Sequence, residues 1–426
     1  MKGNNVHNLK INSARLWKNI VDTAAIGGYG QSGVRRLTFS REDRLMRDWF
    51  AAQCRSAGCT VSIDEVGNMF ALRPGRDADV LPIAMGSHLD TQPTGGRFDG
   101  ILGVLAGLEI LHTLADAGCE TEAPLMLVNW TNEEGARFAP AMLGSGVHAG
   151  VFDRAYAYDR RDVEGVSFLD ALNGIGYRGP IKAGDTRLGA MFELHIEQGP
   201  ILEAAKVDIG VVSGVQAIRW YDITLQGREA HAGTTPMARR QDALVQAARI
   251  VLAVEELALR HSGLATVGQL SIAQASRNVV PGRVTLSLDL RHEEDLALER
   301  LERTVVARIG QESGGTAIVS SVWQSHAVRF DPKCLASVRS GAARAGATLR
   351  EIVSGAGHDS VYISRVCPTA MIFIPCKDGL SHNPAESATA RQCAIGAQVL
   401  LEAVLHHDAS AGVGAGGNDD SEKVPT

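Results

Sequence analysis

The sequence lacks both an excess of basic residues and an uninterrupted apolar segment long enough to cross a membrane. Its 426 residues include 42 Lys and Arg against 48 Asp and Glu, which gives a formal net charge of −6. A nucleic-acid-binding protein would normally carry a basic footprint, so this class is disfavoured. The most apolar long stretch, residues 101–118, is interrupted by Glu109 and His112, and we do not expect it to span a membrane.

The chain also lacks paired cysteines and an apolar leader. Its seven cysteines are an odd number and form no CxxC pair, which disfavours a disulfide framework and a thiolate zinc site. The first twenty residues contain no apolar segment of the kind that a secretory signal peptide requires. We therefore expect a cytoplasmic protein.

Several common catalytic motifs are missing as well. The sequence contains no GxxxxGK phosphate loop, no HExxH zinc motif and no GxSxG nucleophile elbow. Residues 412–417 satisfy GxGxxG, but no predicted strand precedes them and no predicted helix follows, so we expect no dinucleotide site there. Nucleotide-dependent enzymes and hydroxyl-nucleophile hydrolases are disfavoured accordingly.

Short apolar runs that alternate with helical patterns predict an α/β domain with a mixed, largely parallel sheet flanked by helices. The runs cover residues 81–87, 124–130, 190–196 and 369–376. An earlier helix is predicted over residues 41–57, with a capping Ser40 at its start. The apolar face predicted for this helix comprises Leu45, Met46, Trp49, Phe50 and Cys54.

The middle of the chain has a different pattern, in which strands and helices alternate in near-equal proportion. It predicts a separate, smaller α+β layer over residues 214–330. The boundaries are placed where the pattern changes, near Ser213 and near Arg329. Residues 409–426 are rich in Gly, Ala and Asp, and we predict that they are disordered.

Histidine and acidic residues follow the predicted strands in four segments, GSHLDTQPTGGRFDG (86–100), WTNEEG (130–135), FELHIEQGP (192–200) and LSHNPAE (380–386). Ligands of α/β sheets bind beyond the carboxyl ends of the strands. Together the segments supply the mixed nitrogen and oxygen donors that suit zinc, manganese, cobalt or nickel. The sequence therefore predicts a metal site at this edge of the sheet.

The spacing assigns only some roles within this predicted site. His88 and Asp90 face the same side of a strand, so one could bind a metal ion while the other holds its imidazole. Asp99 is the obvious carboxylate to bridge two ions. Of Glu133 and Glu134, one could bind metal and the other could act as general base, and the spacing leaves open which does which. Taken alone, this pair could also be a solvated acidic turn.

The sequence resembles the hydantoinase/carbamoylase family of amidohydrolases, within the dinuclear-metal superfamily of aminoacylases and carboxypeptidases. Eight strings carry the resemblance in family order over roughly residues 10–405: GSHLDTQPTGGRFDG, WTNEEGARFAP, HIEQGPILE, REAHAGTTPM, SRNVVPG, DLRH, SGAGHDS and SHNPAE. The resemblance implies a catalytic domain, formed by residues 1–213 and 331–408, with two divalent metal ions per subunit (Zn, Mn, Co or Ni). Residues 214–330 would form a lid and dimerisation domain inserted into it. The resemblance also implies a homodimer that acts on a small ureido substrate with a carboxylate.

The same resemblance implies roles for individual residues. The metal ligands are His88, Asp99 and His195 for one ion, and Asp99, Glu134 and His382 for the other. The catalytic residues are Glu133 as general base, Asp90 as the support of His88, and His231, which polarises the scissile carbonyl, often from the partner subunit. The substrate contacts are Gln198, His231, Asn278, Arg291, Gly357 and His358. The chain departs from the family pattern at Ser360, where a small apolar residue is expected, and this hydroxyl adds a polar group behind the pocket.

By residue type alone, two of these residues could be surface residues without a functional role. His231 could be a histidine of a surface loop, and Arg291 a surface charge at the end of a strand. Read with the motif, Arg291 could instead grip a substrate carboxylate in bidentate fashion.

The activity implied is hydrolysis of the carbamoyl C–N bond of N-carbamoyl-L-amino acids, giving the amino acid, carbon dioxide and ammonia. Three alternatives remain open. A β-ureidopropionase or an allantoate amidohydrolase belongs to the same family, a peptidase or aminoacylase is disfavoured by Gln198, Asn278 and Arg291, and a catalytically inactive binding protein is disfavoured by the complete ligand set.

Overall fold

The computed structural model describes residues 9–413, which divide into two compact units. The first unit contains the described residues up to Ser213, Phe330–Ile352 and the described residues from Gly357 onward. The second unit contains Gly214–Arg329 and Val353–Ala356. The catalytic and lid roles given to the corresponding segments stay predictions.

The helices are α1 Ser13–Thr23, α2 Arg41–Ser56, α3 Ile101–Asp116, α4 Leu143–His148, α5 Arg154–Tyr158, α6 Phe168–Ile175, α7 Ile201–Ala205, α8 Ala243–Arg260, α9 Asp295–Glu312, α10 Pro332–Ala345, α11 Asp359–Ile363 and α12 Ala390–Val413. The strands are β1 Gly28–Tyr29, β2 Gly33–Val34, β3 Thr60–Ile63, β4 Met69–Arg73, β5 Ile83–His88, β6 Leu125–Trp130, β7 Ala190–Ile196, β8 Ile209–Val215, β9 Ala217–Gln226, β10 Ala230–His231, β11 Leu264–Thr266, β12 Leu270–Ile272, β13 Val279–Val280, β14 Arg283–His292, β15 Ile318–Ser325, β16 Val328–Arg329, β17 Leu349–Ser354 and β18 Thr369–Ile374.

The first unit is built on a mixed sheet with the strand order β8-β18-β7-β5-β6-β4-β3. Strands β18, β7, β5 and β6 are mutually parallel, whereas β8, β4 and β3 are antiparallel to their neighbours. The four apolar runs of the sequence form the four parallel strands, and every residue of these strands is buried. The predicted fold class is therefore confirmed, and the carboxyl ends of the parallel strands lie at one edge of the sheet.

Helix α3 packs on this sheet through a surface that is apolar nearly all round. Thirteen of its residues are buried, which is typical of a helix covered on more than one side. Gly103 permits the close approach, because a Cβ atom at this position would lie 2.5 Å from the carbonyl oxygen of Leu194 in β7. The packing fixes the loop that precedes α3, which contains Asp99.

Helix α2 begins as predicted and buries Met46, Phe50 and Cys54 of its predicted apolar face. Ser40 is its N-cap and its hydroxyl accepts a hydrogen bond from Asp43 N. The prediction that Leu45 is part of the buried face is wrong, because the Leu45 side chain is exposed. Arg47 is buried there instead, paired with Asp43 at 2.8 Å.

The second unit is an antiparallel sheet in the order β11-β14-β9-β15, with β12 also paired to β14. Its core contains alternate residues of β9 and β14, such as Ile223 and Leu286, and apolar residues of α8 and α9. Helix α8 begins at Ala243, because the side chain of Asp242 accepts hydrogen bonds from Leu244 N and Val245 N as its N-cap.

The chain terminus differs from its prediction in part. Helix α12 continues to Val413, so the prediction of disorder from Ala409 onward is wrong for residues 409–413, and residues 414–426 lie outside the described residues. Within residues 9–413, no helix is both long enough and apolar enough to cross a membrane.

Candidate metal centre

The predicted metal ligands meet at the carboxyl edge of the parallel strands. His88 is the last residue of β5, and His195 is the residue before the last in β7. Glu134 follows β6 and His382 follows β18 after short connections. Since neighbouring parallel strands end at the same edge, residues far apart in the sequence lie close together here.

Two groups of ligand atoms share Asp99. His88, Asp99 and His195 form the first group, and Asp99, Glu134 and His382 form the second; within each group the ligand atoms lie within 4.8 Å of one another. Asp99 Oδ1 is 3.6 Å from Nε2 of His88 and 3.2 Å from Nε2 of His195. Asp99 Oδ2 is 3.4 Å from Nε2 of His382, which is also 3.4 Å from Glu134 Oε2. One carboxylate therefore presents one oxygen to each group.

The side chain of His88 fits a metal ligand. Its Nδ1 is 2.9 Å from the Asp90 carbonyl oxygen, to which it donates in the neutral ring. Its Nε2 is buried and has no hydrogen-bond partner among the described residues, which leaves a lone pair directed at the cluster. A buried nitrogen without a partner is costly, and a divalent cation would satisfy it.

The charges of the cluster also favour a bound divalent cation. Burial would lower the pKa of His88, but the carboxylates of Glu133 and Asp99 raise it well above its ordinary value. Burial raises the pKa of Glu133 and of Glu134 well above the ordinary value, and the Asp99 carboxylate adds to both increases. The carboxylates therefore demand positive charge, which a divalent cation would supply in place of a proton. The residues present fit the metal ions that the sequence predicted.

Asp90 supports the site in a different way from the one predicted. Its carboxylate Oδ1 is 3.9 Å from Nδ1 of His88, so its backbone carbonyl and not its side chain orients the imidazole. The carboxylate instead accepts a hydrogen bond from Thr38 Oγ1 at 3.0 Å and from the backbone N–H groups of Glu133 and Glu134, each at 3.3 Å. It therefore holds the turn that carries the two glutamates.

The two glutamates have unequal surroundings. Both oxygens of Glu134 accept hydrogen bonds from Gln92, Oε1 from the backbone N–H at 3.1 Å and Oε2 from the side-chain amide at 2.7 Å. Within the described part of the chain, the Glu133 carboxylate has no such pair of donors, and its Oε2 lies 3.5 Å from Nε2 of His88.

Asp99 is fixed by residues that the sequence reasoning partly missed. Gln198, a predicted substrate contact, donates from Nε2 to Asp99 Oδ2 at 2.8 Å, and its Oε1 is buried with no partner in residues 9–413. Ser381 donates to the same Asp99 oxygen at 2.6 Å, and Glu386 accepts the backbone N–H of Asp99 at 3.1 Å. Both lie in the SHNPAE string, whose histidine alone had been assigned a role.

His358 lies against a predicted ligand. Its side chain is buried, and its ring packs edge-on against that of His195 with centroids 4.6 Å apart. Burial lowers the pKa of His358 well below its ordinary value, and His195 adds to this effect. The neighbouring Gly357 would place a Cβ atom 3.1 Å from the end of the Met142 side chain, so this backbone is closely packed.

The polar group expected from Ser360 is present. Its hydroxyl donates to Glu193 Oε2 at 2.5 Å, and the Ser87 hydroxyl donates to Glu193 Oε1 at 2.6 Å. Glu193 is fully buried and lies two residues before His195 in β7. The sequence pattern alone indicates no role for this glutamate.

In the second unit, the structure brings His231 and Asn278 together. Strands β10 and β13 pair His231 with Val279, and Ala232 N donates to the carbonyl oxygen of Asn278 at 2.9 Å. Nδ1 of His231 accepts the backbone N–H groups of Gly233 and Thr234, at 3.0 and 3.2 Å. The ring proton of neutral His231 is therefore on Nε2, where it can be donated.

Arg291, also in the second unit, is already paired. Its guanidinium donates to both carboxylate oxygens of Asp289, with distances of 2.6 to 3.1 Å, and to the carbonyl oxygen of Gly355 at 2.6 Å. The planar group is held in one orientation by these bonds. A substrate carboxylate at Arg291 would have to share it with Asp289.

Comparisons with known proteins show the family to which the chain is similar. Residues 84–406 match the sequence model of peptidase family M20/M25/M40. An N-carbamoyl-L-amino-acid amidohydrolase of Rhizobium meliloti is 45% identical over 403 residues, which cover 93% of this chain and 97% of that protein. An allantoate amidohydrolase of Bacillus subtilis is 35% identical over 389 residues, covering 89% and 94%.

The fold of the chain is also similar to that of a solved structure. An amidase of the hydantoinase/carbamoylase family from Burkholderia multivorans has a TM-score of 0.90 and 49% sequence identity. The match covers 94% of this chain and 98% of that one, so the likeness extends well beyond the strings that surround the metal cluster.

Proposed function

Because the chain belongs to the hydantoinase/carbamoylase amidases of peptidase family M20/M25/M40, we propose that it hydrolyses the carbamoyl C–N bond of N-carbamoyl-L-amino acids. The products are the amino acid, carbon dioxide and ammonia. The observation that carries the reaction is the cluster in which Asp99 serves two ligand groups beside Glu133. The choice of substrate is supported by the name of the 45% identical relative.

Enzymes of this family typically depend on two metal ions. In this chain one ion, of Zn, Mn, Co or Ni, would be held by His88, Asp99 and His195, and a second by Asp99, Glu134 and His382. When bound, such ions act as Lewis acids that activate water and polarise a carbonyl oxygen. The remaining chemistry falls to the protein side chains.

Glu133 is the proposed general base. Burial raises the pKa of its carboxyl above the ordinary value, which is the direction that favours a group able to accept and then return a proton. Its carboxylate takes a proton from the attacking water as the C–O bond to the ureido carbon forms. It then gives that proton to the leaving nitrogen as the C–N bond breaks, and the carbamic acid that remains decomposes to carbon dioxide and an amine, so that the amino acid, carbon dioxide and ammonia result.

His231 is proposed to stabilise the negative charge that develops on the carbonyl oxygen. The two backbone N–H groups at Nδ1 make Nε2 the donor of the neutral ring, which is the form that an oxyanion requires. We propose that the segment 214–330 acts as lid and dimerisation domain, and that His231 completes the site of the same or the partner subunit.

The substrate itself is proposed to contact the remaining predicted residues. Arg291 and Asn278 would bind the free carboxylate, and Gln198 would use its unpaired Oε1 to accept an N–H group of the ureido moiety. Because Arg291 depends on its planar fork, we expect Arg291→Lys to raise KM by roughly tenfold or more. An unchanged KM for substrates with a carboxylate would contradict this role.

The identity of the ureido substrate is the finer question. The Bacillus subtilis relative is named allantoate amidohydrolase, so allantoate is the second candidate, and β-ureidopropionate is a third. The decisive experiment is an ammonia-release panel with N-carbamoyl-L-amino acids, their D-forms, β-ureidopropionate and allantoate. Enzyme stripped by a chelator and reloaded with manganese, cobalt, nickel or zinc is compared with untreated and stripped enzyme. Full activity of stripped enzyme, or no ammonia from any ureido compound, would refute the proposal.

A further inference from the structure

The loop after β5 holds the Glu134 carboxylate by two hydrogen bonds from one residue. The backbone N–H of Gln92 donates to Oε1 at 3.1 Å, and its side-chain Nε2 donates to Oε2 at 2.7 Å. Nε2 also lies 3.4 Å from the backbone carbonyl oxygen of Glu134. Two donors of one residue thus restrict both the position and the rotation of the carboxylate.

Gln92 can act as a rigid support because its own backbone is fixed. Its carbonyl oxygen accepts hydrogen bonds from Gly95 N at 3.2 Å and from Thr91 Oγ1 at 3.0 Å. Thr91 Oγ1 in turn accepts the backbone N–H of Arg36 at 2.8 Å. The Arg36 guanidinium is buried and donates to the carbonyl oxygens of Leu89 and Ile26 at 2.7 and 2.8 Å.

The ligand group that contains Glu134 has the greater need of such support. His88, Asp99 and His195 are all buried, whereas the His382 side chain is 50% exposed. An exposed imidazole loses more conformational freedom when it binds a metal ion. A carboxylate oxygen has two lone pairs, so Oε2 can accept the amide hydrogen bond and still bind an ion.

We propose that Gln92 is a positioning residue that holds Glu134 ready for the metal ion of the Asp99, Glu134 and His382 group and so sets the affinity of that group. This inference rests on the proposed function only in that it takes these residues to be metal ligands. The neighbouring group of His88, Asp99 and His195 does not depend on Gln92 directly.

The test measures metal binding, not only activity. Apo-enzyme prepared with a chelator is titrated with Co²⁺ and followed by calorimetry and by the visible absorption of the bound ion. Gln92→Met removes the amide donor and keeps the side-chain length. Since partners of metal ligands contribute on the order of 10–100-fold to metal affinity, we expect Co²⁺ to bind one of two sites more weakly by that factor. Gln241→Met, the same change at an exposed position of the second unit, should leave both affinities within about twofold.

A second variant assigns the effect to one site. In a His382→Ala background only the His88 group remains complete, so Gln92→Met should no longer change the affinity for the remaining ion. Gln92→Asn, whose amide is one methylene too short to reach Glu134, should weaken the same site and serves if Gln92→Met folds poorly.

Three outcomes would overturn the inference: unchanged Co²⁺ binding in both Gln92 variants, an equal loss at both sites, or an effect of Gln92→Met that persists in the His382→Ala background. Wild-type enzyme that binds only one ion would overturn it as well, because the second group would then bind no metal. If two ions bind and Gln92 has the expected effect but no ureido compound releases ammonia, the proposed function fails while the inference stands.

Discussion

His148 should make the stability of the protein depend on pH in the weakly acidic range. Its side chain is buried against aromatic rings, with its centroid 5.0 Å from that of Trp130 and 5.8 Å from that of Phe70. Burial lowers the pKa of His148 from 6.5 to about 4. Because the folded protein resists protonation at this ring, the unfolded chain binds the proton first as the pH falls.

The direction and the size of this pH effect on stability follow from the difference between the pKa of His148 in the unfolded and in the folded protein. The stability contributed by neutral His148 is complete above pH 6.5, decreases as the pH falls toward about 4, and is lost below that value. At 1.36 kcal/mol per pKa unit, the interval corresponds to about 3 kcal/mol, a large part of the stability of a typical domain.

The assay compares wild type with His148→Phe, which keeps an aromatic ring and cannot be protonated. Urea unfolding is followed from about pH 7 to about pH 4, and only the difference between the two proteins is interpreted, since the carboxylates of the metal cluster titrate in both. The difference should move in favour of His148→Phe by about 3 kcal/mol at the acidic end. The control is His326→Phe, because the side chain of His326 is 82% exposed. A difference that stays constant with pH for His148→Phe would refute the reasoning.

Three further predictions concern the candidate site. The Glu133→Gln enzyme should keep its metal ions and lose on the order of 10²–10⁴-fold in rate, whereas the Glu134→Gln enzyme should lose one ion. If Glu133→Gln lost an ion and Glu134→Gln kept both, the proposed roles of ligand and base would be reversed. Gly100→Ala should weaken metal binding by roughly tenfold or more, because its Cβ would lie 2.3 Å from the ring of His88; unchanged metal affinity would show that the loop adapts. Mixing inactive His231→Ala and Glu133→Gln subunits should restore up to half of the activity per heterodimer if His231 acts across a dimer, and verified subunit exchange without recovery would exclude that arrangement.

The strands were predictable because a parallel strand that is buried on both faces is a near-continuous apolar run in the sequence. All four such runs form parallel strands, and the histidines and acidic residues that follow β5, β6 and β18 therefore meet at one edge. The face of α2 was less predictable, because periodicity treats every charged residue as exposed. Arg47 is buried with Asp43 and also donates to the carbonyl oxygen of Gly67 at 2.7 Å, and such compensation depends on residues distant in the sequence.

The local sequence could not distinguish the proposed roles of Glu133 and Glu134. The two residues are adjacent and chemically identical. They differ in their contacts with a turn that contains Gln92, 42 residues before Glu134 in the chain. In this turn the Asp90 carbonyl oxygen accepts a hydrogen bond from His88, and the Asp90 carboxylate accepts hydrogen bonds from the backbone N–H groups of both glutamates. Gln92 donates a hydrogen bond to the side chain of Glu134 only. A ligand must be held still, whereas a base must be able to move with its proton. The hydrogen bonds of Gln92 therefore support the proposal that Glu134 is the ligand and Glu133 the base, and these hydrogen bonds form only once the two loops are folded together.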